Sequence, residues 1–353
     1  MFLFPPRSQQ QFLKPCEAKR GTRVVYRKKK GIYTVNLNRS LTYEIEPVPP
    51  YNFNLSVRKP AGWSLFTPFE IYDGKTLWTA VHLENTLTGL KLTSRGTTDN
   101  PRITAKIFLE SKPTDEKLER IKKLLIHCIG ADEDLHEFYA LAREDSILGY
   151  VVDDLYGMHS TSTGDNVFPD AILAILLQMA PLKRSNEMID CMIRRYGDAA
   201  EFDRKTVYVW PLPQRLASLN PTVLARECKV GYRAKRMIEL AAMLAEKGFP
   251  ALQELEKLSP EDAKKKLLEL PGIGDYSADI INPHGGFPID VWSAEVFGKL
   301  FFGKEPDNNR QAVKEVKDEG IRRWGKWSWM AFFYIVQDLE NLSRRMNVKL
   351  RLA

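Results

Sequence analysis

The chain has 353 residues, 44% of them hydrophobic and 27% charged, with a formal net charge of +7. This is the balance of an ordinary globular protein, long enough for two domains or one large one. No run approaches the roughly 18 apolar residues of a membrane span, and the short apolar start MFLFPP is broken by two prolines, unlike a secretory leader. The expected location is therefore the cytosol, or the nucleus in a eukaryote.

The first thirty residues carry Arg7, Lys14, Lys19, Arg20, Arg23, Arg27, Lys28, Lys29 and Lys30 against a single acid, Glu17. Such an arm suits a polyanion through counterion release, or serves only as a solubilising tail. Residues 31–110 then read as strands. GIYTVNLNR, YEIEPV, FNLSV, WSLFTPFEIYDGKTLWTAVHLE, LTGLKLTSRG and RITAKIFLE alternate polar and apolar residues, and Asp73-Gly74 marks a hairpin. From Asp115 the period becomes 3.6: DEKLERIKKLLIHCIG opens on acids and closes on Gly130. Helices are predicted over 133–143, 145–158, 168–179, 185–197, 220–228, 232–247, 250–258, 260–270, 276–281, 291–302, 309–319 and 327–342, with 207–213 (VYVWPLP) as a proline-bracketed connector. The expected fold is α+β, in three parts. The basic arm spans 1–30, an antiparallel β-sheet domain with a closing helix spans 31–130, and a helical domain spans 131–353.

Four cysteines stand singly with no C-x-x-C, so zinc and iron–sulfur sites are not supported. The chemistry must come from elsewhere. In LELPGIGDYSADII, two predicted helices flank Pro271-Gly272-Ile273-Gly274. Two glycines allow positive φ and close approach of a partner, and Asp275 or Ser277 could cap the second helix. Free amides at that helix start suit a phosphate, gripped without reading sequence. The plain alternative is a simple turn. Asp290, in FPIDVW, precedes another apolar-periodic helix, where Asp is a frequent N-cap. A carboxylate held there, close to docked DNA, could also stabilise an oxocarbenium ion as an N-glycosidic bond breaks.

LPGIGDYSADII…FPIDVW resembles the hairpin and downstream catalytic aspartate of the helix-hairpin-helix (HhH-GPD) DNA glycosylases. KVGYRAKRMIELAAML, AILAILLQMAPLKRSNEMIDCMIRRYGD and RRWGKWSWMAFFYIV are similar to helices of the 8-oxoguanine and alkyladenine branches, in the same order. The resemblance implies Asp290 as catalytic residue. It implies phosphate contacts from Leu270, Gly272, Ile273, Gly274, Tyr276 and Ser277, and Gln178 with Met179 filling the gap left by an extruded base. Pocket aromatics would come from Tyr276, Trp292, Trp329 and Phe332, with Trp327 and Phe333 as further candidates and Val336 at the position that stacks the base in relatives. Trp292 also replaces a polar residue that often contacts phosphate.

Bifunctional members carry a lysine where this chain has Tyr276, and its amine attacks C1′. A tyrosine cannot do so, which implies water as nucleophile and an abasic product. Lys264, Lys265 and Lys266 are expected to face phosphate or solvent. Tyr276 and Asp290 lie fourteen positions apart, so NPHGG must turn sharply, with His284 a loop residue. The expected partner is double-stranded DNA with a damaged base, preferably an alkylated or deaminated purine, bound by a monomer. No cofactor is expected beyond a monovalent cation that carbonyls of such hairpins can hold. Two rivals stand: a glycosylase/lyase using another amine, and a non-catalytic hairpin protein that senses distorted DNA.

Overall fold

The computed structural model describes residues 33–62, 64–178, 180, 182–246, 249–304 and 310–350. The basic arm and Met179 lie outside the described residues. Two sheets form the first part. A short strand, β1 (Tyr33–Asn36), precedes a five-stranded antiparallel sheet made of β2 (Arg39–Ile45), β3 (Ile71–Tyr72), β4 (Thr76–Leu83), β5 (Thr86–Ser94) and β6 (Ile103–Leu109), in the order β2-β6-β5-β4-β3. Period-2 patterning puts Leu77, Val81 and Leu83 of β4 on one face with Leu90, Leu92 and Ile107. Trp78 and Ala80 point the other way, so this strand is covered on both sides. The predicted hairpin is present: the Asp73 carboxylate accepts the amides of Lys75 and Thr76 at 3.0 and 2.8 Å, and Gly74 has φ +97°.

FNLSV is not a strand. It forms α1 (Phe53–Val57), because Asn52 caps it by accepting the Leu55 amide at 3.1 Å. Five residues are too few for alternation to separate strand from helical turn. The closing helix α2 (Asp115–Cys128) buries Ile121, Leu124, Leu125 and Cys128 against the sheet.

Next come α3 (His136–Glu144) and α4 (Val151–Asp154). The predicted helix over 145–158 shrinks to α4. The Asp145 side chain caps a turn instead, accepting from Ile147 and Leu148, and Gly157 turns the chain out at φ +78°. Then follow α5 (Phe168–Leu177), α6 (Leu182–Tyr196), the strands β7 (Asp198–Phe202) and β8 (Lys205–Val209), α7 (Pro213–Ala217), α8 (Pro221–Glu227), α9 (Arg233–Glu246), α10 (Leu252–Leu255), α11 (Pro260–Leu268) and α12 (Asp275–Ile281). The supposed connector at 207–213 is thus partly strand. β7 pairs parallel with β1 and antiparallel with β8, and this small sheet packs Phe202, Val207 and Val209 on Trp78 and Phe108. Cys191 on α6 and Cys228 after α8 are joined as a disulfide, with Cα atoms 5.4 Å apart.

The last helices are α13 (Val291–Phe302), α14 (Arg310–Trp324), α15 (Ser328–Gln337) and α16 (Leu339–Met346). The single helix predicted over 327–342 breaks at Asp338. These helices pack with α3 and α4 around Phe287, Phe297, Trp324 and Tyr334, whereas α5–α12 surround a separate core of Ile172, Met192, Met237 and Leu267. The chain crosses from the second core to the first through residues 282–290, and Ile280 packs against both. Among the described residues no helix is long and apolar enough to cross a membrane.

Candidate DNA-binding and catalytic site

Helices α11 and α12 are neighbours joined by the 269–274 turn, and the two glycines of that turn do different work. Gly272 has φ +84°, and an added Cβ would lie 3.1 Å from Ile175 and 3.3 Å from Arg236. Both the backbone and the packing require it. Gly274 is the N-cap of α12, in extended conformation with φ −106°, and a Cβ there would meet nothing within 4 Å. No internal constraint calls for glycine at 274, so its bareness is available to an outside partner.

Neither Asp275 nor Ser277 caps α12, contrary to the expectation from the sequence. Ser277 is buried, and Asp275 turns away to Lys264 at 2.7 Å and Lys317 at 3.2 Å. Burial would raise the Asp275 pKa, but the two lysines outweigh it and lower it. The amides at the helix start therefore have no side-chain cap. Leu270 and Ile273 are core residues and can offer only backbone. The Leu270 carbonyl accepts the Ile273 amide at 3.1 Å and the Gly272 carbonyl accepts Gln178 Nε2 at 2.7 Å.

Gln178 is placed differently from a free plug. It turns out of the end of α5, its Nε2 donating to the hairpin and its Oε1 accepting from Arg236 at 3.2 Å, while Arg233 donates to its carbonyl. The side chain thus stitches α5 and α9 to the turn. The sequence reading missed Tyr232, which is 55% exposed beside this junction, with the guanidinium groups of Arg233 and Arg236 4.7 and 5.5 Å from its ring. An aromatic residue wedged in GYRAKR was the available signal.

Asp290 is the N-cap of α13. Its Oδ1 accepts the Ser293 amide at 2.8 Å and the Ser293 hydroxyl at 2.8 Å, while its own amide donates to that hydroxyl at 2.8 Å. The box fixes the carboxylate where the chain re-enters the first core. Tyr276 is half-buried beside it: burial, and then the Asp290 charge, push the phenol pKa well above its ordinary value. The NPHGG turn is as sharp as its length requires. Gly285 donates to the Asn282 carbonyl at 2.8 Å and has φ +70°, and His284 is a strut whose ring bonds the Leu255 carbonyl at 3.1 Å.

Of the three lysines of α11, expected to face phosphate or solvent, Lys265 and Lys266 are exposed, whereas Lys264 is drawn into ion pairs. Lys264 is held by Asp275 and by the buried Asp279, at 2.7 and 2.8 Å, and Lys266 pairs with Glu269. Of the pocket aromatics, Phe332 is a core residue, 3% exposed and stacked on Phe297 at 5.5 Å. Val336 is buried too. Trp292 and Trp329 are half-buried, and their indole N–H groups are buried without a hydrogen-bond partner among the described residues. Trp329 stacks on Phe333 at 5.4 Å and presses on Gly285. Trp327 packs on Phe138.

No family model matches the chain. The DNA-3-methyladenine glycosylase of Bacillus subtilis (strain 168) is 26% identical over 247 residues, which cover 67% of this chain and 78% of that protein. A probable N-glycosylase/DNA lyase of Methanothermobacter thermautotrophicus is 27% identical over 241 residues, covering 62% and 73%. Among solved structures, the 3-methyladenine DNA-glycosylase from Archaeoglobus fulgidus matches with a TM-score of 0.67 at 18% identity, over 87% of this chain and 100% of that one. The Clostridium acetobutylicum 8-oxoguanine glycosylase/lyase matches with a TM-score of 0.59 at 16% identity, over 83% and 95%. The homologues and structural neighbours are DNA glycosylases of the helix-hairpin-helix (HhH-GPD) superfamily. The chain shares their fold and part of their sequence, which supports a DNA glycosylase enzyme.

Proposed function

We propose that this glycosylase is monofunctional and acts on a damaged purine with a good leaving group, alkylated or deaminated. The observation that carries the reading is the pairing of Asp290, fixed at the start of α13, with Tyr276 at its side on the hairpin helix. The hairpin grips a backbone phosphate through the uncapped amides of α12, with Gly274 giving clearance. Tyr232 and Arg236 meet the duplex beside it, while the buried Arg233 and Gln178 support the turn from behind.

The target nucleotide is flipped from the stack at a cost of about a few kcal/mol, less for a damaged base. As the C1′–N bond breaks, its electron pair leaves with the base and positive charge builds on the sugar. The Asp290 carboxylate stabilises that charge. Water then adds its oxygen to C1′ and releases a proton, to solvent when a cationic alkylpurine departs neutral and to the base when a deaminated purine departs as an anion, so the products are free base and an abasic strand. Trp292, two positions beyond the acid, and Trp329, pressed on the loop that delivers it, carry buried indole donors without a partner among the described residues, and in this reading they line the base site.

Two findings support hydrolysis over lyase chemistry. Position 276 offers a phenol rather than an amine, and Lys264, on the preceding helix, is committed to two carboxylates. The purine preference leans on the B. subtilis relative and on the A. fulgidus fold. The M. thermautotrophicus relative, by its name, keeps the lyase alternative in view. Borohydride reduction during turnover separates them: no protein–DNA adduct is expected here, whereas a trapped adduct would show an amine nucleophile.

A further inference from the structure

The loop that delivers Asp290 is held from both sides by side chains on its adjacent glycines. A Cβ on Gly285 would lie 2.3 Å from the Trp329 Cβ, and one on Gly286 would lie 2.8 Å from Asp279 Oδ1. Asp279 is itself 3% exposed, on the hairpin helix α12. Its Oδ1 accepts from Lys264 of α11 at 2.8 Å and its Oδ2 from Lys317 of α14 at 2.5 Å. Asp275 binds the same two lysines, at 2.7 and 3.2 Å, from the solvent side. Burial would lower the Lys264 pKa, but the bonds to Asp275 and Asp279 outweigh it and raise it.

We infer that Asp279 is a positioning residue, the joint through which the phosphate grip and the catalytic carboxylate keep a fixed spacing. A buried carboxylate is costly unless paired and hydrogen-bonded, and here two cations from two helices do so. One joins it to the first hairpin helix, the other to α14, which belongs to the core that receives α13. The same carboxylate is the wall against which Gly286 packs, four residues before Asp290. Moving Asp279 therefore moves the loop relative to the hairpin, and a misplacement of about 1 Å at a reacting group can cost 10²-fold in rate. Nothing in helix-making demands an acid at this buried position. The inference rests on the assignment of Asp290 to catalysis.

The test uses the full chain and three variants. Asp279→Asn removes the charge, Lys317→Met removes the pairing from α14, and Gly286→Ala pushes on Asp279 from the loop, at a residue whose φ lies outside the left-handed region. Base release is measured in single turnover at saturating enzyme, DNA affinity by titration, and amide exchange on peptides covering 282–290. Each variant should slow release by about tenfold or more while affinity changes by less than about threefold. Gly286→Ala combined with Asp279→Asn should be no slower than the worse single variant, because both act through one contact. Exchange in 282–290 should quicken by about tenfold in Asp279→Asn and Lys317→Met. Unchanged release with only a lower melting temperature would overturn the inference, as would multiplicative effects in the double variant. If Asp279→Asn does not fold, the other two variants carry the same readouts. If wild type releases no base, the catalytic assignment fails by itself, and exchange in 282–290 still decides whether Asp279 holds the loop.

Discussion

In the proposed mechanism Asp290 caps a helix and carries the catalytic charge, and the first role serves the second. Its capping bonds to Ser293 give the carboxylate one orientation without a dedicated scaffold, so position is a by-product of starting a helix. Replacing it by Asn keeps a good cap and removes the charge. Asp290→Asn is therefore expected to melt within a few degrees of wild type, bind DNA normally, and lose on the order of 10²-fold or more in base release. A thermal melt, a binding titration and a single-turnover assay check the three parts separately. Tyr276 marks a second choice at this scale. Its burial and the nearby Asp290 charge keep the phenol protonated, so it can pack or donate but cannot attack a sugar as an amine does.

At the scale of elements, the hairpin separates what glycine does for the protein from what it does for a ligand. Gly274→Ala meets no atom inside the chain, so stability should change by no more than about 0.5 kcal/mol while affinity for undamaged duplex falls. Gly272→Ala, with φ +84° and Ile175 at 3.1 Å, should cost stability of about 1 kcal/mol or more. Chemical denaturation and a DNA titration on both variants distinguish the roles; an equal loss of affinity and stability in Gly274→Ala would remove the cradle. The long amphipathic helices and the 73–74 turn could be read from the sequence, because period and turn chemistry are local. Phe53–Val57 could not, since a five-residue segment is decided by the Asn52 cap. The β7–β8 strands were hidden by prolines just beyond them, and their partner β1 lies far back in the chain. Site geometry was legible where backbone dictates it, at Gly272 and Asp290. It was illegible where long side chains choose partners, as with Gln178, Lys264 and the buried ring of Phe332.

Over the whole molecule, two cores meet along the 282–290 crossing, and a third unit, the sheet, braces them. One brace is titratable. His127 on α2 bonds Asp132 at 3.4 Å and Glu256, just after α10, at 2.8 Å, and hydrogen bonds to Asp132 and then Glu256 lift its pKa to about 10. A raised folded pKa stabilises fully below the unfolded value near 6.5 and is lost as pH rises through about 10. The melting temperature of His127→Gln should therefore fall furthest below wild type at pH 6, and the gap should close towards pH 10; a gap independent of pH would mean the pair contributes nothing through charge. The central claim concerns what the assembled enzyme does to DNA. Its most direct test is base release from duplexes carrying 3-methyladenine, 1-methyladenine, hypoxanthine, uracil or 8-oxoguanine, with product strands resolved before and after alkaline cleavage. The account predicts free base, purine lesions first, with strands that stay intact until alkali breaks the abasic site, and no release by Asp290→Asn. Strand breakage without alkali, undiminished release by Asp290→Asn, or no release from any of the five lesions would contradict it.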